Sequence, residues 1–534
     1  MKLSILSTVS ALALVAAAPA FAQSNTSAVT QSGTNGVATV TQTGAKSGST
    51  VSQENDRNNA IVAQSGTVGS ESAISQTGAR NLATVTQTDD GTGYDPTQTS
   101  TVDQSGDDNI ATVTQTQKSS FGGAPGTKNS SAIAQSGDLN TASLNQQDDD
   151  QSSSILQTSD NNQATVAQGD NSASEGAELG TTYNNSSFVT QGGAGFNVAD
   201  VRQTGNNGYS AVNQAGGYND ARITQGGGSA NISNLAQSGN EGDAIVAQTG
   251  SNNNSNLTQS AFSVDANIKQ QGAGNVSNAS QSGDRGFLVV DQNGSGNQSS
   301  VNQAGNGTNN FHGGNYLEQQ AEVFQTGTGN KATVNQLADG PFVRSAQGIN
   351  ENDSYAGITQ IGTNNEASAT QSGFYQVAAV DQIGVDNKAT FNQTGSYHYA
   401  LVKQVGDRNR SNVTQAEGGA TELPYGGNGN FALTPDYSGP GVNQHGNDNQ
   451  SDLVQAGIRN RATVDQGGDS NESSLIQTGE SGRAIVNQSG SDNQSFVNQG
   501  GLNNLANVTQ ASNGNLSTVD QSGTGNTATV TQGL

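Results

Sequence analysis

Polar and apolar residues alternate in steps of two through short segments that end, again and again, on glutamine. The stretch from Gln325 to Gln336 reads Gln-Thr-Gly-Thr-Gly-Asn-Lys-Ala-Thr-Val-Asn-Gln. In an extended strand, Asn330, Ala332, Val334 and Gln336 share one face, and Lys331, Thr333 and Asn335 share the other. Glutamine recurs every eleven residues at Gln31, Gln42, Gln53 and Gln64, slips by one to Gln76 and Gln87, and later runs unbroken from Gln237 to Gln303 and from Gln444 to Gln532. The four residues between strands, typically with glycine second, predict a tight arc. A fixed short period of this kind marks a stacked repeat architecture.

The true period is twice as long. The position four before each glutamine alternates: Ser27, Ala38, Ser49, Ala60, Ser72, Ala83, and near the end Ser495, Ala506, Ser517, Ala528. Between Ala321 and Ala400 alanine is used throughout. Two chemically distinct strands per 22 residues predict one coil of two strands and two arcs. Glutamines in register number about 40, hence about 20 coils. The expected fold class is all-β, an amyloid-like β-solenoid with two strands per coil.

Composition makes the solenoid a problem of stability. Of 534 residues, 30% are hydrophobic and 4% aromatic, with 70 glycines, no cysteine and no tryptophan. So few large side chains cannot fill several ordinary cores, and no disulfide or thiolate metal site exists. A net charge of -25, with 19 basic residues against 44 acidic, excludes nucleic acid as a partner. Such a composition also suits a disordered polymer, and charge placement decides against it. About 40 strands with four inward slots give roughly 160 slots, and no Asp, Glu, Lys or Arg falls in any of them. Disorder has no inside from which to exclude charge, whereas burying an unpaired charge is costly.

Each strand turns inward one aliphatic side chain, such as Val40, Ile61, Ile74, Val85, Leu144 or Ile155, and one small one. A fully buried aliphatic contributes about 1.5–3 kcal/mol. The inward carboxamides need another account, because an unsatisfied amide costs about 1–3 kcal/mol. Stacked in register, each can donate to one neighbouring coil and accept from the other. Gln31, Gln42, Gln53, Gln64, Gln325, Asn330, Gln336, Gln510, Gln521, Asn526 and Gln532 are the expected structural ladder positions. Only the end coils keep open amides and backbone edges, and neither Pro nor Lys guards the last repeat, Val530-Thr531-Gln532-Gly533.

The N-terminus has a different character. Met1-Lys2, an apolar run from Leu3 to Ala18 and a small-x-small ending predict a signal peptide over residues 1–22, cut between Ala22 and Gln23. Residues 23–534 then form the repeat domain, with no later stretch long enough for an integral membrane segment. Swollen arcs are expected around Thr88 to Thr99, Thr116 to Asn129, Gly169 to Asn184, Ala304 to Glu318, Leu337 to Asp353 and Ala416 to Tyr437. Register resumes after each, so they read as outward insertions.

Glutamine, then glycine at plus two, asparagine at plus five, alanine at plus seven and glutamine at plus eleven resembles the curlin repeat. Gln325, Gly327, Asn330, Ala332 and Gln336 fit it, as do Gln521, Gly523, Asn526, Ala528 and Gln532. The resemblance implies a secreted subunit of curli, the adhesive, biofilm-forming amyloid fibre on the surface of Gram-negative bacteria. It implies self-assembly into a homopolymer, a nucleator subunit and a dedicated outer-membrane export pore as partners, and no cofactor. The chain departs from the family in being about four times the usual five coils. Asn25, Asn129 and Asn185 stand where the family's first strand often has Ser, and only Gln23 and Ser24 precede the repeats where a pore-recognition segment is usual.

Two other functions are weighed against the fibre. An ice- or surface-binding solenoid adhesin would use outward threonine pairs, found at Thr39/Thr41, Thr84/Thr86, Thr112/Thr114 and Thr529/Thr531. Strands favour threonine anyway. An enzyme or metal site would draw on Asp89-Asp90, Asp107-Asp108 or Asp148-Asp149-Asp150, but acids on arcs read as solubility charge. The three histidines, His312, His398 and His445, fall in different coils, and His398 occupies an inward asparagine slot. No catalytic set or metal-ligand spacing can be assembled from these residues.

Overall fold

The computed structural model describes residues 24–66, 69–89, 98–117, 128–147, 150–169, 184–304, 319–337, 354–374, 376–418, 431–432 and 441–533. The expected signal peptide lies outside the described residues, as do Ala22, Gln23, His312 and most of each swollen arc. Every described element is a strand, and every strand pairing is parallel. This is the expected β-solenoid.

The chain divides into two compact units, Met1–Asn253 and Asn254–Leu534. The first carries 18 strands, from Thr26–Gln31 to Asp243–Ser251, which make nine coils. The second runs from Asn254–Gln259 to Thr527–Gln532 in eleven coils. Its short strands Phe431–Ala432 and Val442–His445 are two pieces of one rung, since both pair with Tyr399–Val405 and both with Arg461–Gly467. Within a unit, each strand pairs with the next but one, so successive strands alternate between two sheets.

The alternation of serine and alanine separates these sheets. In the first unit Ser27, Ser49 and Ser72 align in one, and Ala38, Ala60 and Ala83 in the other. We call them the serine sheet and the alanine sheet. In the second unit the serine sheet carries Ala332, Ala367 and Ala389 before serine resumes at Ser411. Core volume is balanced locally. Leu288 stands in an alanine position in the coil whose aliphatic slot holds only Ala279, and both are buried.

The arcs are tighter than glycine alone predicts. A left-handed residue stands four places after the glutamine in most arcs, and it is rarely glycine: Asn35, Arg80, Asp108, Tyr218, Asp386 and Asp492 all have φ between 53° and 60°. The sequence pattern points to the second place, where the reason is axial crowding. A β-carbon on Gly327 would lie 1.9 Å from the carbonyl oxygen of Gly362 in the next coil.

The insertions are sorted by edge. In the first unit, the insertions that include residues 90–97, 118–127 and 170–183 each fall between an alanine-sheet strand and the following serine-sheet strand. In the second, 305–318, 338–353 and 419–430 fall in the reverse connection, and 433–440 falls between the two pieces of the split rung. Each unit therefore keeps one uninterrupted row of short arcs.

Candidate functional site

The inward carboxamides form four ladders, two per unit. In the first unit the serine-sheet ladder runs Gln31, Gln53, Gln76, Gln104, Gln135, Gln157, Gln191, Gln214, Gln237, and the alanine-sheet ladder starts at Gln42 and Gln64; the rungs measure 2.5–3.0 Å. In the second unit Gln303, Gln336 and Gln371 follow one another in the serine sheet, and Gln292, Gln325 and Gln360 in the alanine sheet, at 2.8–3.1 Å. The last rungs are Gln499 to Gln521 and Gln510 to Gln532, at 2.8 and 2.9 Å.

Every rung points the same way: the Nε2 of the lower-numbered glutamine donates to the Oε1 of the higher. The second amide hydrogen crosses the core. Gln53 donates to the carbonyl of Val37, Gln336 to that of Gln320 and Gln325 to that of Gln298, at 3.0–3.1 Å. Each glutamine thus ties its coil to the next and one sheet to the other. In a water-poor interior this satisfies groups that would otherwise be expensive to bury.

Asparagine acts on the backbone. The amide of Asn330 donates to Oδ1 of Asn297 at 3.1 Å, while its Nδ2 reaches the carbonyls of Thr326 at 3.2 Å and Gly362 at 3.1 Å. Oδ1 of Asn330 in turn accepts from the amide of Asn365 at 3.0 Å. The side chain therefore pins its own arc and the following one.

The ladder ends differ from the interior. Gln31 and Gln42 are half-buried, and among the described residues nothing donates to their Oε1 atoms. In the last coil of the second unit Gln521 and Gln532 donate only across the core, to the carbonyls of Leu505 and Leu516 at 3.0 and 2.9 Å. Asn526 is exposed and turns its Nδ2 back to the carbonyl of Ser522 at 2.7 Å, inside its own arc. Acceptors are open in the first coil of the first unit and donors in the last coil of the second.

Charge stays outside. Asp89, just past Gln87 on a strand end, is the only carboxylate among the buried described residues. Arg80 donates to Asp108 at 2.7 Å on an exposed arc and holds its carboxyl below the usual carboxylate range. Tyr355 lies over Gly357 and donates to Glu322 at 3.1 Å; burial, then that neighbouring charge, push its phenol up to about 12. His398 is buried with Nε2 2.9 Å from the carbonyl of Thr394, and burial lowers its pKa to about 4. Among the described residues no group of three or more His, Asp or Glu could hold a metal ion, and no helix is long and apolar enough to cross a membrane.

Of the outward threonine pairs, Thr84/Thr86 and Thr112/Thr114 lie on neighbouring strands. Thr39/Thr41 faces Ile61/Ala63, so Ile61, expected inward, lies on the outer face and Val62 fills the buried aliphatic slot; Thr529/Thr531 faces Asn507/Thr509. Sequence reading placed the inward row of serines but not the state of their hydroxyls. Ser49, Ser153, Ser255, Ser473 and Ser495 are buried with no hydrogen-bond partner among the described residues. Elsewhere in the row the hydroxyls do meet between coils, Ser210 donating to Ser187 and Ser299 to Ser277, each at 3.1 Å.

No curated protein matches the chain. Residues 362–395, 384–416, 446–479 and 501–533 match the curlin associated repeat. These stretches share the inward glutamine, the arc and the parallel register of the other described coils. The chain therefore carries curlin associated repeats between residues 362 and 533, and its other described coils share their register and their solenoid.

Proposed function

We propose that this chain is a secreted structural subunit of a curli-like functional amyloid fibre, serving cell-surface adhesion and the biofilm matrix. Copies join end to end, the glutamines of one extending the ladders of the next. The observation that carries this reading is the uniform direction of the amides. Open Nε2 donors at Gln521 and Gln532 complement open Oε1 acceptors at Gln31 and Gln42. A strand added in phase would set Val519 on Val29 and Val530 on Val40, continuing the columns of the core. An incomplete ladder with a free parallel edge is a template for another copy.

In this reading residues 1–22 direct export and are removed between Ala22 and Gln23, leaving 23–534 as the fibre-forming domain. An outer-membrane pore passes the chain to the surface of a Gram-negative cell, and a nucleator starts growth. The ladders are structural, with no catalytic role and no cofactor. Purified residues 23–534 should give cross-β diffraction at about 4.8 and 10 Å and seed their own growth. Changing Gln521 and Gln532 together to lysine places charge on the growing face. That variant should keep its β circular dichroism yet fail to elongate wild-type seeds; normal elongation would overturn the reading. The surface-binding alternative has only the two-strand threonine patch at Thr84/Thr86 and Thr112/Thr114 in its favour. Thermal hysteresis in dilute protein would support it.

A further inference from the structure

We infer that the outer face of the serine sheet between Ser130 and Gln237 is a lateral contact surface, which pairs with the same face on a second copy of this chain. The inference extends the fibre reading above, in which this face would recur with every subunit. Five strands of the first unit compose it: Ser130–Gln135, Ser152–Gln157, Ser186–Gln191, Tyr209–Gln214 and Ile232–Gln237. None of their outward positions is charged, in a chain whose net charge is -25. On the same coils the alanine sheet presents Asp200, Arg202, Asp220, Arg222 and Asp243 outward. Charge depletion over one flat patch is the mark of the centre of an interface.

The patch has relief as well as neutrality. Leu156, Phe188, Tyr209 and Ile232 are between 38% and 42% exposed. Strand register sets them on successive rungs in a diagonal ridge: Leu156 sits in the last outward lane, Phe188 in the middle one, Tyr209 and Ile232 in the first. The rings of Phe188 and Tyr209 meet at 5.8 Å. Small residues flank the ridge, with Ala132 and Ala134 on one side and Ala211 and Ala236 on the other. A ridge beside shallow lanes is a surface that two copies can mesh, each ridge lying in the other's lane.

The uninterrupted arcs border this face. There Phe196 and Tyr218 stack at 4.9 Å, both exposed and both left-handed, with φ of 59°. Most arcs hold a left-handed residue, so what sets this pair apart is an exposed aromatic stack at the margin of the face. Five strands at about 4.8 Å, each about 20 Å long, present roughly 500 Å². That is less than the about 800 Å² per partner of a stable complex. One pair of faces binds weakly; a row of them along a fibre binds through avidity.

The test uses residues 23–534 as wild type, as a Phe188→Glu/Tyr209→Glu variant and as a neutral Phe188→Thr/Tyr209→Thr variant. Sedimentation of fresh soluble protein should show a concentration-dependent dimer for wild type, weakened at least about tenfold in both variants. Electron microscopy of seeded fibres should show bundles for wild type and single fibres for the glutamate variant, with elongation rates within about twofold. Unchanged dimerisation and bundle width in the variants would overturn the inference. So would protection of Phe188 and Tyr209 from oxidative footprinting in dilute monomer, which would mean that the chain's own insertion 170–183 covers the face. Wild type that dimerises without elongating would defeat the fibre reading alone.

Discussion

Phe391 is wholly buried and stands in register beside Ala369, one coil below it in the same sheet. The largest buried side chain of the second unit therefore neighbours one of the smallest, each in a slot that usually holds valine or leucine. Volume is conserved across two rungs rather than within one. Phe391→Ala should cost about 3–5 kcal/mol through the cavity it leaves. Ala369→Val should cost about 1–3 kcal/mol by overpacking, and Phe391→Val should partly relieve it. Hydrogen exchange of the strands Glu366–Phe374 and Lys388–Ser396 reads each effect locally, and additive costs would refute the coupling.

An interior rung is costly to break. Gln371 accepts from Gln336 at 3.1 Å and donates to Gln393 at 3.0 Å. Gln371→Met keeps the shape but orphans both neighbours, at about 1–3 kcal/mol per buried group. Gln371→Glu adds a buried charge and should cost more at pH 7 than at pH 4. Equal exchange protection for wild type and both variants would mean that the ladder adds nothing to stability.

The unpartnered serines suggest substitutions in the opposite direction. Ser473 and Ser495 are buried and bond to nothing described, while Ala332, Ala367 and Ala389 occupy equivalent positions. Ser473→Ala and Ser495→Ala should each stabilise the solenoid by about 1 kcal/mol, since a buried hydroxyl without a bond is a net cost. Destabilisation in urea would show that those hydroxyls are satisfied in solution.

His398 gives the second unit a local acid sensitivity. Its pKa falls from the ordinary 6.5 to about 4 on burial, so the unfolded chain binds the proton first as pH drops. Its stability contribution is complete above pH 6.5 and is lost progressively toward pH 4. At about 1.4 kcal/mol per pKa unit the loss approaches about 3 kcal/mol. His398→Asn restores the usual slot residue and should abolish the acid-induced rise in proteolysis around residues 377–405. If wild type and variant respond alike to pH, burial of the imidazole is not the cause.

Net charge makes assembly sensitive to solvent. With 44 acidic residues against 19 basic, copies repel at neutral pH and low ionic strength. Assembly followed by light scattering should speed up in 0.5 M salt and at pH 4, where carboxylates are screened or neutralised. Identical rates under all three conditions would remove electrostatics from the account.

The eleven-residue recurrence of glutamine and the serine–alanine alternation were enough to give strand, arc, inward face and a two-strand coil. Side-chain direction in a strand depends only on position along the chain, so sequence settles which residues face inward. The tertiary structure decided what depends on neighbours from distant coils. The common direction of the amides requires every rung at once. Which serines bond to the next coil, as Ser210 does to Ser187, and which stay without a described partner is decided only on stacking, and the left-handed fourth place arises from closing an arc against the next one. Leu156, Phe188, Tyr209 and Ile232 form a ridge only after stacking brings strands on either side of residues 170–183 together. Local pattern encodes orientation; adjacency between coils arises only when the chain stacks.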